Sequence, residues 1–320
     1  MNKLLSKILK IGLPILLGVF LIWYSYNKFT PEQLRNIKYY FTNANYTFVA
    51  ISVLCGFLSH ISRAVRWNYL LKPLGYYPKM PNNIMAVGVA YLMNLGVPRS
   101  GEVSRALVLN KYENIPVDRA FGTIIAERVA DLLILLSLVA LAFITQFNTL
   151  RDYLASNFPL AKIATFAGIG FMGVVLAFWF VNKSRSNLSK KIKSFLNGIK
   201  DGIMSIARME RKWAFVGHTV FIWTMYVMMF YLCTYALPQT RLMTFDVVLM
   251  GFVVGSFAIA FTNGGFGSYP FFIATIFTLF GITEDVGTAF GWIVWTSQFA
   301  MILVFGGLSF LFLPIYNRNK

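Results

Sequence analysis

The sequence predicts an all-α polytopic membrane protein, an inverted repeat of about six full transmembrane helices plus two re-entrant helical hairpins. Three observations carry this expectation. Of 320 residues, 57% are apolar and only 13% charged, and many apolar runs reach the roughly 20 helical residues that cross a hydrocarbon core. Two apolar regions are broken in the middle, at NLGVPRSGE (94–102) and TNGGFGSYP (262–270). Lysine and arginine gather in particular connections, which is how cytoplasmic loops are marked. The longest polar stretch, Asn182 to Lys212, is too short to bury a core. A single integral membrane domain over 1–320 is therefore expected, with a first half 1–150 and an inverted second half 151–320.

Taken in order, the first span covers about 8–26, behind Lys3, Lys7 and Lys10. That opening resembles a signal peptide, but the chain continues WYSYNKF with no small-residue cleavage site, so the span stays and its N-terminus lies in the cytoplasm. A second span covers 46–62 and extends into RAVRWNYLL, an interrupted region covers 82–109, and a third span covers 120–147. The second half repeats the order with spans at 160–182 and 213–237, an interrupted region at 246–282 and a last span at 287–315.

Sidedness follows from charge. The loop 183–212 holds nine Lys and Arg against Asp201 and Glu210, and 63–79 holds Arg63, Arg66, Lys72 and Lys79. Both belong in the cytoplasm, as do both termini; the sparsely charged connections near 147–160 and 237–245 belong outside. These sides agree only if each interrupted region crosses an even number of times, as a re-entrant hairpin does. Full, full, re-entrant, full, repeated with opposite orientation, is the pattern of secondary transporters, where interrupted segments point to the substrate site. Ordinary surface loops between extra spans are the plainer alternative.

The formal charge of +17 does not imply nucleic acid, because the cations sit between apolar runs. Cys55 and Cys233 lie in separate runs and fit neither a disulfide framework nor a zinc site, so no metal or cofactor is expected. The expected location is the bacterial inner (cytoplasmic) membrane, with a homodimer possible.

Non-helical backbone at membrane depth is tolerated only where it is buried in protein or lines a wet cavity. Asn94 and Asn263, with Gly264, Gly265 and Gly267, are therefore expected to meet at such a cavity. Charged groups at that depth are functional candidates. Arg63 and Arg66 share a helical face; Arg99, Glu102 and Arg105 follow at i,i+3 spacing; Glu127 and Asp131 share a face beside Arg128. Five arginines against three acids, with helix N-terminal amides after Pro98 and Gly101, suit an anionic lipid head group. Otherwise the arginines are snorkelling anchors, with Arg128 tied to Asp131 and Arg105 to Glu102. His60 and His218 read as packed residues near span ends, and Trp23, Trp67, Trp213, Trp292 and Trp295 as interfacial belts.

The ordered set RxxRWxxLL (63–71), PRxGExxR (98–105), ERxxD (127–131) and GGxG (264–267) resembles the flippase-like family called the lysylphosphatidylglycerol synthase transmembrane region, or UPF0104 group. The resemblance implies translocation of aminoacylated phosphatidylglycerol, made in the best-known members by a separate cytoplasmic domain. No such domain is expected here, so transport without synthesis is the expectation. In the second turn Asn263 replaces the family's proline, and Tyr269-Pro270 stands where an acid often follows. Two alternatives stand beside translocation: a transferase on a lipid carrier with Glu102, Glu127 or Asp131 as general base, and a scaffold for a lipid-modifying enzyme.

Overall fold

The structure, a computed structural model, describes residues 3–157, 172–173, 179, 206, 209–262 and 264–318. Among the described residues it is all helix, without strands. In chain order the helices are α1 (Lys3–Lys28), α2 (Pro31–Thr42), α3 (Tyr46–Leu71), α4 (Met80–Gly96), α5 (Ser100–Glu113), α6 (Val117–Thr145) and α7 (Phe147–Asn157). They continue with α8 (Lys212–Thr234), α9 (Phe245–Phe261), α10 (Ser268–Thr278) and α11 (Glu284–Tyr316).

Among the described residues four helices, α3 with the short turn after it, α6, α8 and α11, are long and apolar enough to cross a membrane. Each matches an expected full span to within a few residues, apart from α3, which runs on to Leu71 as the RAVRWNYLL extension anticipated. The 26-residue α1 covers the expected first span. The expected span at 160–182 and most of the basic loop 183–212 lie outside the described residues.

Local chemistry sets the ends. The Thr30 hydroxyl accepts the Gln33 N–H at 3.2 Å, and the Gln33 side chain accepts the Thr30 N–H at 2.9 Å, with Pro31 at the first helical position. This capping box starts α2, an element to which the hydropathy reading assigned nothing. The turn after α3 closes with Gly75 at φ 83°, a left-handed conformation that costs glycine nothing.

Helices α4 and α5 pack on each other as one hairpin, and α9 and α10 form another. α3 lies against α8, α4 against α11, and α9 against α6. Small residues permit the closest approaches: Gly287 lies on Ala274, Gly291 on Pro270 and Gly306 on Gly88. One apolar core gathers Trp67, Leu109, Ile124 and Phe215, and a second gathers Phe230, Val248, Phe277 and Phe290.

Candidate functional site

Two residues on α3 and two on α6 make the first part of the site. The i,i+3 spacing turns Arg63 and Arg66 to one face, and the i,i+4 spacing turns Glu127 and Asp131 to meet them. Arg63 Nη1 donates to Glu127 Oε1 at 2.6 Å and to Asp131 Oδ2 at 2.7 Å. Arg66 Nη1 donates to Asp131 Oδ1 and to Thr219 Oγ1, both at 2.9 Å, while its Nη2 lies 3.0 Å from Glu127. Arg105 comes from α5 and holds Glu127 through two bonds of 3.2 and 3.1 Å, its guanidinium 3.7 Å above the Trp67 ring. All five ionic side chains are buried. At the rim Arg128, 45% exposed, pairs with Glu102 at 2.9 Å and reaches Asp131 at 4.0 Å. Four guanidinium groups thus face three carboxylates, leaving one positive charge in surplus.

The second part is the pair of helix breaks. Pro98 holds Val97 extended (φ −128°, ψ 116°), and Arg99 turns the chain at φ 63°. The freed backbone is then recovered by side chains. Asn94 Oδ1 accepts the Gly101 N–H at 2.7 Å, and the Ser100 hydroxyl donates to the Met93 and Val97 carbonyls at 2.9 and 2.7 Å. Gly101 sits against Ala90 and Asn94 with no room for a Cβ. The other break turns on Gly264, Gly265 and Gly267, all at positive φ. Thr262 Oγ1 accepts the Gly265 N–H at 3.2 Å, and Trp295 Nε1 donates to the Gly264 carbonyl at 2.8 Å.

Both breaks reach one cavity of about 410 Å³, whose wall includes Asn94 from the first and Gly264 from the second. Arg63, Arg128 and Asp131 form its charged end. Above them the Tyr91 and Tyr226 hydroxyls share a hydrogen bond of 2.9 Å, and Arg63 Nη2 donates to the Tyr226 oxygen at 3.4 Å. Trp223, Tyr269, Trp295 and Phe299 supply much of the remaining wall. His60 also faces it, its ring 4.1 Å from Tyr91 and nearly parallel to Phe305 at 5.8 Å.

The sequence-derived candidates divide accordingly. Arg63, Asn94, Arg128, Asp131 and Gly264 line the cavity. Arg66, Arg105 and Glu127 stand behind it in the ion network, and Glu102 with Arg105 borders a small pocket beside Arg63 and Asn94. Arg99 is exposed and stands outside that wall, because its backbone makes the turn. Gly265 lies under Tyr269 and Trp295, and Gly267 abuts Gly18 of α1. Asn263 lies outside the described residues.

Several expectations need correction. Arg105 ties to Glu127 in place of Glu102, because α5 packs on α6; Arg128 keeps the expected Asp131 at 4.0 Å and adds Glu102 at 2.9 Å. Arg63 and Arg66 are buried ion partners, not snorkelling anchors. The Gly101 amide, expected for a ligand, is already taken by Asn94. Trp67 is fully buried under Arg105, and Trp295 caps the second break, so neither joins an interfacial belt. His60 sits in the body of α3, since the helix outlasts its apolar run. Tyr91, Trp223 and Tyr226 escaped the sequence reading; their one signal was aromatic polarity inside apolar runs, shared with many packing residues.

Set against known proteins, the family described as the lysylphosphatidylglycerol synthase TM region matches residues 11–306. A UPF0104 membrane protein of Methanocaldococcus jannaschii is 33% identical over 97 residues, 29% of this chain and 29% of that protein. Glycosyltransferase AglD of Haloferax volcanii is 30% identical over 132 residues, 41% of this chain and 20% of that protein. The chain thus spans less than a third of the length of either curated relative. No solved structure matches. A match over nearly the whole length, on a chain whose four motifs converge on one ion network and one cavity, makes this a membrane protein of the lysylphosphatidylglycerol synthase transmembrane family.

Proposed function

We propose that the chain translocates an anionic phospholipid or lipid-linked substrate across the bacterial inner membrane, acting as a transporter and not as an enzyme. The observation that carries this reading is the cavity of about 410 Å³ bordered by both helix breaks and ending at Arg63 and Arg128. Guanidinium groups stay charged when partly desolvated and match phosphate oxygens with a planar fork of donors. The surplus positive charge of the cluster favours an anion there. The helix pairing supports two inverted halves: α4 packs on α11 while α9 packs on α6, so each hairpin leans on the last long helix of the other half. In that arrangement the hairpins are re-entrant and rocking of the halves exposes the cavity to either side.

The deciding experiment reconstitutes the chain in proteoliposomes and follows head-group accessibility of labelled anionic lipids. Faster exchange than in protein-free vesicles is expected, abolished by Arg128→Gln. Equal rates with and without the protein sink the reading. The relative named as a glycosyltransferase motivates a second one, a transferase on a lipid carrier. Glu102, Glu127 or Asp131 would be its base; Glu127 and Asp131 are each held by two or more arginines and are poor proton acceptors, while Glu102 pairs with Arg128 alone. New product in the same vesicles would favour that second reading.

A further inference from the structure

The cavity wall carries more chemistry than a phosphate needs. Its acid, Asp131, is occupied by Arg63 at 2.7 Å and Arg66 at 2.9 Å. A cationic head group entering the cavity would meet a net positive end whose wall carboxylate is already paired, with Glu102 outside that wall and tied to Arg128 at 2.9 Å. A desolvated cation without a partner is strongly disfavoured.

What the wall does offer is neutral. His60 is 3% exposed, and neither of its ring nitrogens has a hydrogen-bond partner. A neutral imidazole is a donor at one nitrogen and an acceptor at the other, the pair of functions that hydroxyl groups satisfy. Gln298 and Ser256 line the same wall, the Ser256 hydroxyl keeping only its acceptor role because it donates to the Phe252 carbonyl at 2.8 Å, and Trp223 and Trp295 add broad aromatic surfaces. Aromatic faces beside neutral donors and acceptors complement a ring whose faces are C–H and whose edges are O–H. The volume lies within the roughly 300–1,000 Å³ of small-molecule sites.

Resting on the translocase reading, we infer that this cavity selects a lipid whose single phosphate carries an uncharged polyhydroxylated ring, a sugar or a cyclitol, and rejects aminoacylated head groups. The phosphate sits at Arg63 and Arg128. The ring lies between His60, Gln298 and the two tryptophans. A phospholipid and an isoprenyl phosphate can both supply this head group, and the test separates them.

Binding to the purified full chain in detergent is measured by thermophoresis for dihexanoyl phosphatidylinositol, a short-chain isoprenyl phosphate hexose, dihexanoyl phosphatidic acid and dihexanoyl lysyl-phosphatidylglycerol. At least one ring-bearing lipid is expected to bind about tenfold or more tighter than phosphatidic acid, the scale of one or two hydrogen bonds, with the lysyl lipid weakest. Whichever ring-bearing lipid binds identifies the carrier. His60→Phe keeps the ring packing and removes both nitrogens. It should bring the ring-bearing lipid down to the level of phosphatidic acid while leaving phosphatidic acid unchanged. Gln298→Leu should act in the same direction and carries the test if the histidine variant does not fold. Lysyl-phosphatidylglycerol binding as tightly as the ring-bearing lipids, or indifference of those lipids to the foldable variants, overturns the inference. Ring-lipid binding without movement in proteoliposomes would overturn the translocase reading instead and leave this one standing.

Discussion

The two helix breaks solve one problem with different materials. At 97–99 the chain turns on Pro98 and a left-handed Arg99, and side chains of Asn94 and Ser100 recover the loose backbone groups. At the other break three glycines at positive φ make the turn, and Thr262 with Trp295 does the recovering. The charges differ as well. The first hairpin sends Arg105 and Glu102 into the ion network, whereas α9 and α10 contribute nothing ionic to it. Backbone satisfaction is therefore the common requirement at the cavity, and charge is a property of one side alone. A ligand spanning the cavity meets an electrostatic end and a neutral end.

The sharpest way to break this asymmetry is to remove the hub of the charged side. Glu127→Gln leaves Arg63 and Arg66 sharing Asp131 and Arg105 without a carboxylate partner, and losing one partner of a buried network costs about 3–5 kcal/mol. Thermal unfolding of the detergent-solubilised protein should show a large drop in Tm, and an unchanged Tm would deny the network its structural role. Next comes the glycine side. Gly265→Ala forces a Cβ into a left-handed backbone under Ile259 and Tyr269, at a cost of about 1–2 kcal/mol. Asn94→Ala should cost about 1 kcal/mol by stripping the cap from α5. If the alanine at 94 proves as damaging as the glutamine at 127, cap and network are one unit.

Smaller effects sharpen the comparison. Arg99→Gly should raise stability by up to about 1 kcal/mol, because the residue sits in a glycine conformation and is exposed. Lipid binding should be unaffected, in contrast to Arg128→Gln, and a binding loss at 99 would return that arginine to the site. Smallest is Glu284→Gln, which removes the partly exposed Lys28 pair at 2.7 Å and should change stability by less than about 1 kcal/mol. Chemical denaturation resolves that difference from the buried network.

Much of this was legible because long-period hydropathy is insensitive to detail. The four long helices, the two broken regions, the shared face of Arg63 and Arg66 and the shared face of Glu127 and Asp131 all follow from spacing along single helices. Partner choice did not follow. Whether Arg105 meets Glu102 or Glu127 depends on how α5 lies on α6, and an i,i+3 rule knows only its own helix. The backbone role of Arg99 was hidden for a related reason: its side chain drew attention as a ligand, while the turn uses its backbone at φ 63°. His60, Tyr91 and Tyr226 were invisible as a group, since α3, α4 and α8 bring them together from 166 positions of separation between first and last.

The contact between α1 and the second break has a mechanical meaning. Gly18 and Gly267 meet backbone to backbone, and Phe266 lies against Gly18 as well, with no side chain between to yield. Such a joint transmits displacement without slack. A shift of the glycine turn would therefore be felt directly by the 26-residue α1. A bulky residue at position 18 would act as a wedge that holds the joint open, since even a Cβ there meets the Phe266 carbonyl.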